Sequence, residues 1–147
     1  MNIAKIRKVK TPCRATPGSA GFDFFIPEDL DFYSVSLSHG ESILIPSGIV
    51  ADIPKGFMLL GLEKSGLGLK GCSVGARVID SDYQGEIHLH VFNHSSRKTL
   101  VLKAGEKMVQ FVLIPVFLDS IEIVDRDKLF PKETTRGEKG FNSTGSK

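Results

Sequence analysis

Four short stretches carry residue types that can do chemistry on phosphates and water. In ARVIDSDYQGEI, Asp80 and Asp82 stand beside Tyr83 between two apolar runs. A carboxylate there suits a general base toward water, with an aromatic plate next to it. The same residues suit a hairpin tip with Asx turns, the simpler reading of this segment alone. SAGFDFF sets Asp23 between aromatics directly after a glycine. A carboxylate in that strand-like context costs free energy if buried unpaired, and a turn aspartate near water is the plainer alternative. LEKSGLGLKG offers Lys64, Ser65 and Gly66, which suit backbone and hydroxyl contacts with a phosphate but lack P-loop spacing. GEKMVQF places Gln110 in an otherwise apolar run, where its amide needs partners from protein or ligand.

A fifth stretch, TTRGEKGFNSTGSK, combines Arg136, glycines, the lone Phe141 and a Ser143–Thr144 pair. Glycine-rich segments with hydroxyls usually serve phosphates by opening a helix, and no helical pattern follows this one. Together the stretches supply two candidate carboxylates for a hard cation or for activating water. They add three donor-rich segments and an aromatic for a base. A magnesium ion bound largely through substrate phosphates would need few direct protein ligands. The pattern alone points to a phosphorylated nucleotide.

The elements that must hold these residues read as strands. Fifteen glycines and seven prolines punctuate the 147 residues, and the runs between them alternate. Ile43 and Ile45 share a face; Ile87, Leu89 and Val91 share another, with His88 and His90 opposite; SIEIVD repeats the pattern with Ile121 and Ile123. Period-two runs bounded by turn residues predict an all-β sandwich or barrel with one core, and IPSG and IPKG predict turns at strand ends. From about Glu133 the apolar pattern vanishes, which predicts a separate mobile tail. His88 and His90 also have the spacing of a metal pair, but without a third ligand they read as solvent-facing strand histidines. Lys5, Arg7, Lys8 and Lys10 read as a solvated edge strand.

Composition bounds the rest. Apolar content of 41% and charged content of 24% are ordinary for a soluble globular chain. Nineteen basic against seventeen acidic residues leave +2, too slight for a nucleic-acid or membrane footprint. Cys13 and Cys72 show no metal spacing and suggest a reducing compartment. MNIAKIRKVK lacks the apolar core of a signal peptide, and MVQFVLIPVFL is too short to span a bilayer. A cytoplasmic location is the expectation.

In order along the chain, these segments resemble the five motifs of the trimeric dUTPase family, the dUTP pyrophosphatases. Ala20-Gly21-Phe22-Asp23 is similar to motif one, and Lys64-Ser65-Gly66-Leu67-Gly68 to motif two, with Ile45–Gly48 and Ile53–Gly56 leading in. Val78-Ile79-Asp80-Ser81-Asp82-Tyr83-Gln84-Gly85-Glu86 is the most specific stretch and resembles motif three. Gly105–Gln110 resembles motif four and Arg136–Gly145 motif five. The resemblance runs from about residue 12 to the end.

The resemblance implies a distorted jelly-roll β-sandwich over residues 1–132, with residues 133–147 closing a site built between subunits of a homotrimer. The implied reaction is hydrolysis of dUTP to dUMP and pyrophosphate, which limits uracil in DNA and supplies dUMP for dTMP synthesis. Asp80 would activate the water and contact the sugar 3′-hydroxyl, and Tyr83 would pack under the deoxyribose. Main-chain groups around Val78 and Ile79, with His88, would read uracil. Lys64 would bind substrate through a contact weaker in geometry than the family's Arg. Ser65, Gly66 and Gln110 would cradle phosphates, and Arg136 would reach the γ-phosphate. Phe141 would stack on uracil, with Asn142, Ser143 and Thr144 beside it. Mg2+ would be held by substrate phosphates and by Asp23 through water.

Three departures from the family pattern stand out. Lys64 replaces a usual Arg while Glu106 replaces a frequent Asp, which predicts a compensated Lys64–Glu106 ion pair. Arg77 stands where Gly is common, and Asn142 follows the stacking Phe where Gly is usual. The nearest rival is a dCTP deaminase of the same fold, against which Ile79–Tyr83 argues. The other rival is a nucleotide-gated regulatory binding protein, and the sequence leaves room for a regulatory protein partner.

Overall fold

Residues 1–138 and 140 of the chain are described by a computed structural model. They fall into two units, Met1–Phe117 and Leu118–Lys147. In the first unit the alternating runs become β1 (Asn2–Lys5), β2 (Phe22–Phe25), β3 (Ser34–Leu37), β4 (Ser42–Pro46), β5 (Ile49–Asp52) and β6 (Phe57–Glu63). A single turn of helix, α1 (Ser65–Gly68), follows. The unit continues with β7 (Cys72–Gly75), β8 (Val78–Ile79), β9 (His88–Asn93), β10 (Leu100–Lys103) and β11 (Lys107–Pro115).

The strands pair antiparallel in two larger sheets, ordered β2-β11-β6-β8 and β4-β9-β7, and two ladders, β1–β5 and β10–β3. All four feed one core, as a jelly-roll sandwich requires. Ile45, Leu89 and Val91 are buried at 1% exposure or less, while Leu44 on the opposite face of β4 is exposed. Phe24 of β2 and Phe111 of β11 meet with ring centroids 4.7 Å apart and tilted by 58°, an edge-to-face type of contact. Each large apolar side chain so buried contributes about 1.5–3 kcal/mol. Gly48 and Gly56, at φ +73° and +84°, close the two predicted Pro-containing turns in a conformation that other residues rarely adopt.

Two expectations change. Ser120–Asp125 is not a strand: Ile121 and Ile123 are 95% and 96% exposed, and no described strand pairs with them. Alternation makes a strand only where a second backbone and a covering surface are at hand. The basic start is more than a solvated edge. Arg7 pairs with Glu86, Lys8 with Glu28, and Lys10 Nζ donates to the Gly105 carbonyl.

The second unit holds one helical turn, α2 (Arg126–Leu129), with Lys128 3.0 Å from Asp125 and Arg126 paired to Glu138. Among the described residues no helix is long and apolar enough to cross a membrane. Both cysteine thiols are free, Cys13 exposed and Cys72 buried.

Candidate functional site

Asp23 sits on β2 in the aromatic run Phe22–Phe25 and is only 4% exposed. The ladder sets it opposite Gln110 of β11, which in turn faces Leu62 of β6. Burial alone pushes the carboxyl up, but the Lys107 and Lys64 ammonium groups outweigh it and hold the group below its ordinary value. Lys64 Nζ lies 2.5 Å from Oδ1 and Lys107 Nζ 2.7 Å from Oδ2. The second contact has the distance of an ion pair without the direction of a hydrogen bond, and Oδ2 is itself buried.

This corner corrects the expected Lys64–Glu106 pair. Lys64 goes to Asp23, and Glu106 Oε2 accepts from the backbone N–H of Lys103 at 3.2 Å. The reason is local. Lys64 follows the end of β6, two strands from Asp23, whereas Glu106 lies in the turn before β11 and folds back on its own backbone.

Gln110 solves its burial by donating Nε2 to the Glu63 carbonyl at 2.9 Å. The second amide hydrogen remains for another acceptor. Gly21 makes room for this side chain, since a Cβ there would lie 2.8 Å from Gln110 Oε1. Ser65 and Gly66 are exposed at the start of α1, directly after Lys64. Asp23, Lys64, Ser65, Gly66 and Gln110 therefore share one corner of the sheet.

Sequence reasoning missed Lys107 here, because a lysine at the start of a strand reads as solvated. The register shift between Lys107 and Val109 turns it onto Asp23. Such a bulge leaves no signature in residue types. The pairing also holds the Lys107 ammonium above its ordinary value.

A second cluster surrounds the loop from Asp80 to Ile87. β8 pairs with β6, Ile79 facing Leu59 and Val78 facing Leu60. Ile79 is buried and Val78 exposed, so the loop leaves the sheet with Asp80 in solvent. The Tyr83 N–H donates to the Asp80 carbonyl at 3.2 Å. Tyr83, 43% exposed, folds back and donates its hydroxyl to the Glu86 carbonyl at 2.9 Å. His88 Nδ1 meets the same carbonyl at 2.9 Å. A carbonyl only accepts, so Nδ1 carries a hydrogen in this contact.

The turn before β8 fixes Arg77 against β6. Ala76 is the one described non-glycine residue with positive φ, at +46°. Arg77 Nε donates to the Gly61 carbonyl at 2.9 Å, and Gly61 N–H returns a bond to Arg77 at 2.7 Å. β8 pairs with β6 while β9 pairs with β4 and β7. The stretch from Asp80 to Ile87 therefore connects two sheets and is not the tip of the expected hairpin, and Arg77 is bound to β6.

The two clusters do not meet within the chain. Asp23 lies three strands from β8 and level with Leu62, whereas Ile79 is level with Leu59. Strand spacing of about 4.8 Å and a rise of about 3.3 Å per residue put them roughly 17 Å apart. Arg136 is exposed in the second unit. Phe141, Asn142, Ser143 and Thr144 lie outside the described residues.

Comparison with known proteins adds independent findings. A family model described as dUTPase matches residues 7–145. A deoxyuridine 5'-triphosphate nucleotidohydrolase of Desulfitobacterium hafniense is 36% identical, covering 99% of this chain and 95% of that protein. One from Nitrosomonas eutropha is 40% identical over 91% and 87%. Among solved structures, a mutant dUTPase of Staphylococcus bacteriophage 80alpha with dUpNHpp superposes with TM-score 0.83 at 22% identity, covering 98% and 97%. A mutant from phage phi11 of S. aureus, described with a structural Mg(II) ion, gives 0.74 at 20% identity over 85% and 96%. The structural likenesses establish the fold.

Proposed function

The chain belongs to the dUTPase family and is a dUTP diphosphatase, and from that premise we propose a mechanism, an assembly and a set of residue roles. Asp80 orients a water and takes its proton as the water oxygen bonds to the α-phosphorus. The bond from that phosphorus to the bridging oxygen breaks, leaving dUMP and pyrophosphate. An exposed carboxylate at the mouth of a turn suits this task, since it is open to water.

Tyr83 supports the deoxyribose and excludes a 2′-hydroxyl. Uracil is read by main-chain groups at Val78 and Ile79, together with His88. Cytosine's amino group would face an unpaired donor there, a mismatch that can cost ~10⁴-fold or more. Lys64, Ser65, Gly66 and the free Gln110 amide hydrogen bind phosphate oxygens, Lys64 exchanging Asp23 for the substrate. Residues 133–147 close the site: Arg136 on the γ-phosphate, Phe141 over the uracil, and Asn142, Ser143 and Thr144 around the phosphates. A base–aromatic stack is worth ~1–3 kcal/mol, enough to draw a short segment over a bound ligand.

The observation that carries the assembly is the roughly 17 Å between the phosphate corner and the Asp80 loop, set by three strand spacings and the register offset. One nucleotide reaches both kinds of residue most simply when they come from different copies. We therefore place three sites at the interfaces of a homotrimer, with the exposed Ile121 and Ile123 as contact surface.

Magnesium fits the residues present. Among the described residues no three His, Cys, Asp or Glu gather into a metal cage, and Asp23 is the carboxylate of the phosphate corner, its charge now held by Lys64 and Lys107. That set suits Mg2+ held by substrate phosphates, with Asp23 behind a water. When bound it would neutralise charge on the phosphates. In the cytoplasm the reaction would limit uracil in DNA and supply dUMP for dTMP synthesis.

Pyrophosphate release from dUTP, dTTP, dCTP and UTP by purified protein with Mg2+ tests the reading. Release from dUTP alone is expected. Ammonia from dCTP would identify a deaminase, and dUTP binding without pyrophosphate a regulatory binding protein.

A further inference from the structure

Glu86 lies at the far end of the Asp80 loop and belongs to none of the groups assigned above. Its side chain is 15% exposed, and it gathers three separate parts of the chain. Arg7 Nε donates to Oε1 at 2.8 Å and Arg7 Nη2 to Oε2 at 3.3 Å, a two-point guanidinium–carboxylate contact. The Gly48 N–H also donates to Oε1, at 2.7 Å. Burial opposes ionisation of Glu86, but the Arg7 and Gly48 hydrogen bonds overcome it and hold the carboxyl below its ordinary value.

The backbone around Glu86 is equally fixed. Ser47 N–H donates to the Ile87 carbonyl and Ile87 N–H to the Ile49 carbonyl, both at 2.9 Å. The Glu86 carbonyl then receives both the Tyr83 hydroxyl and His88 Nδ1. Gly85 permits this fold-back, because a Cβ there would lie 2.4 Å from the Tyr83 hydroxyl oxygen. Tyr83 in turn holds the Asp80 carbonyl through its N–H. A continuous path of contacts runs from Arg7 through Glu86 and Tyr83 to Asp80.

We propose that Arg7 and Glu86 are a positioning pair for the reaction: by clamping the Glu86 peptide they set the Tyr83 ring and the attitude of Asp80. The inference rests on the reading of Tyr83 and Asp80 given above. A pair that served only fold stability would leave sugar discrimination alone, whereas a positioning pair controls it through Tyr83.

The test uses full-length protein. The chain has no Trp and two Tyr, so Tyr33→Phe leaves Tyr83 as the sole tyrosine reporter. In that background Arg7→Met keeps the aliphatic stem and removes the guanidinium. It should change the ultraviolet absorption and fluorescence of Tyr83, and cut the dUTP:UTP ratio of kcat/KM by about 10- to 100-fold. Arg7→Lys should restore part of both. Lys8→Met, which deletes the neighbouring Lys8–Glu28 contact at 3.4 Å, should move neither. Should Arg7→Met fail to fold, Glu86→Gln keeps an acceptor for Gly48 while removing the charge, and should shift the same two signals. An unchanged Tyr83 signal with an unchanged ratio overturns the proposal, even if thermal stability falls. If the parent protein releases no pyrophosphate from dUTP, the functional reading fails separately, and the Tyr83 signal alone decides the clamp.

Discussion

Lys64 and Asp23, 41 residues apart in sequence, form an ion pair across the β2–β11–β6 sheet, with Lys107 on the other carboxylate oxygen. The carboxylate is almost fully buried while both ammonium groups keep part of their exposure, 28% and 39%. A buried carboxylate stays ionised only with such cations beside it, and the pair stabilises the fold as long as both partners are charged.

That gives a pH dependence with a definite sign. Asp23 is held below its ordinary 3.8, so its contribution is complete above that value and is lost as pH falls through the lower folded value. Lys107 is held above 10.5, so its contribution is complete below that and is lost as pH rises through the higher folded value. Asp23→Asn should cost about 1–3 kcal/mol at neutral pH and flatten the acid limb of a stability–pH curve. Equal acid sensitivity in mutant and parent, measured by denaturant unfolding, would count against the pairing.

Gly85→Ala brings a methyl against the Tyr83 hydroxyl. The phenol end is exposed and can swing aside, so the stability loss should stay under about 1 kcal/mol. Release of Tyr83 should show instead as increased turnover of UTP relative to dUTP. Parent-like selectivity would mean the ring is held by other contacts.

Ala76→Gly should stabilise the protein. An alanine at φ +46° carries left-handed backbone strain of roughly 1–2 kcal/mol, which glycine relieves at some entropic cost. A net gain near 1 kcal/mol is expected, read as a rise in Tm. A fall in Tm would show that the Arg77–Gly61 contacts need the stiffer residue.

Asp80→Ala should abolish turnover and retain nucleotide binding. Truncation before Arg136 should leave folding and assembly intact and nearly abolish activity. Mixing the two inactive chains should recover part of the activity if different copies supply the base and the closing segment. No recovery, with mixed assemblies confirmed by mass, would place both on one subunit.

The strand content was legible because Ile45, Leu89 and Val91 alternate with polar partners, and the period is all that a sandwich face requires. Asp23 and Gln110 were legible as polar residues in apolar runs, and each finds the partner its surroundings demand, Asp23 in Lys64 and Lys107 and Gln110 in the Glu63 carbonyl. Lys107 was hidden by a bulge, and Arg7 by its separation of 79 positions from Glu86. Ile121 and Ile123 misled because alternation reports a preference for pairing and is silent on whether a mate exists. Long-range pairing is a property of topology, which no local window contains.

The lateral placement of Asp23, Gln110 and Leu62 on three bonded strands also constrains how such a chain can diversify. Rungs of a ladder cannot drift apart one residue at a time, because a single-residue slip would turn every neighbour to the wrong face. Length variation is therefore channelled into the exposed connectors, such as residues 96–99, where an insertion leaves the rungs in step. Descendants of this sequence can gain surface decorations readily while the spacing of Asp23, Gln110 and Leu62 stays fixed.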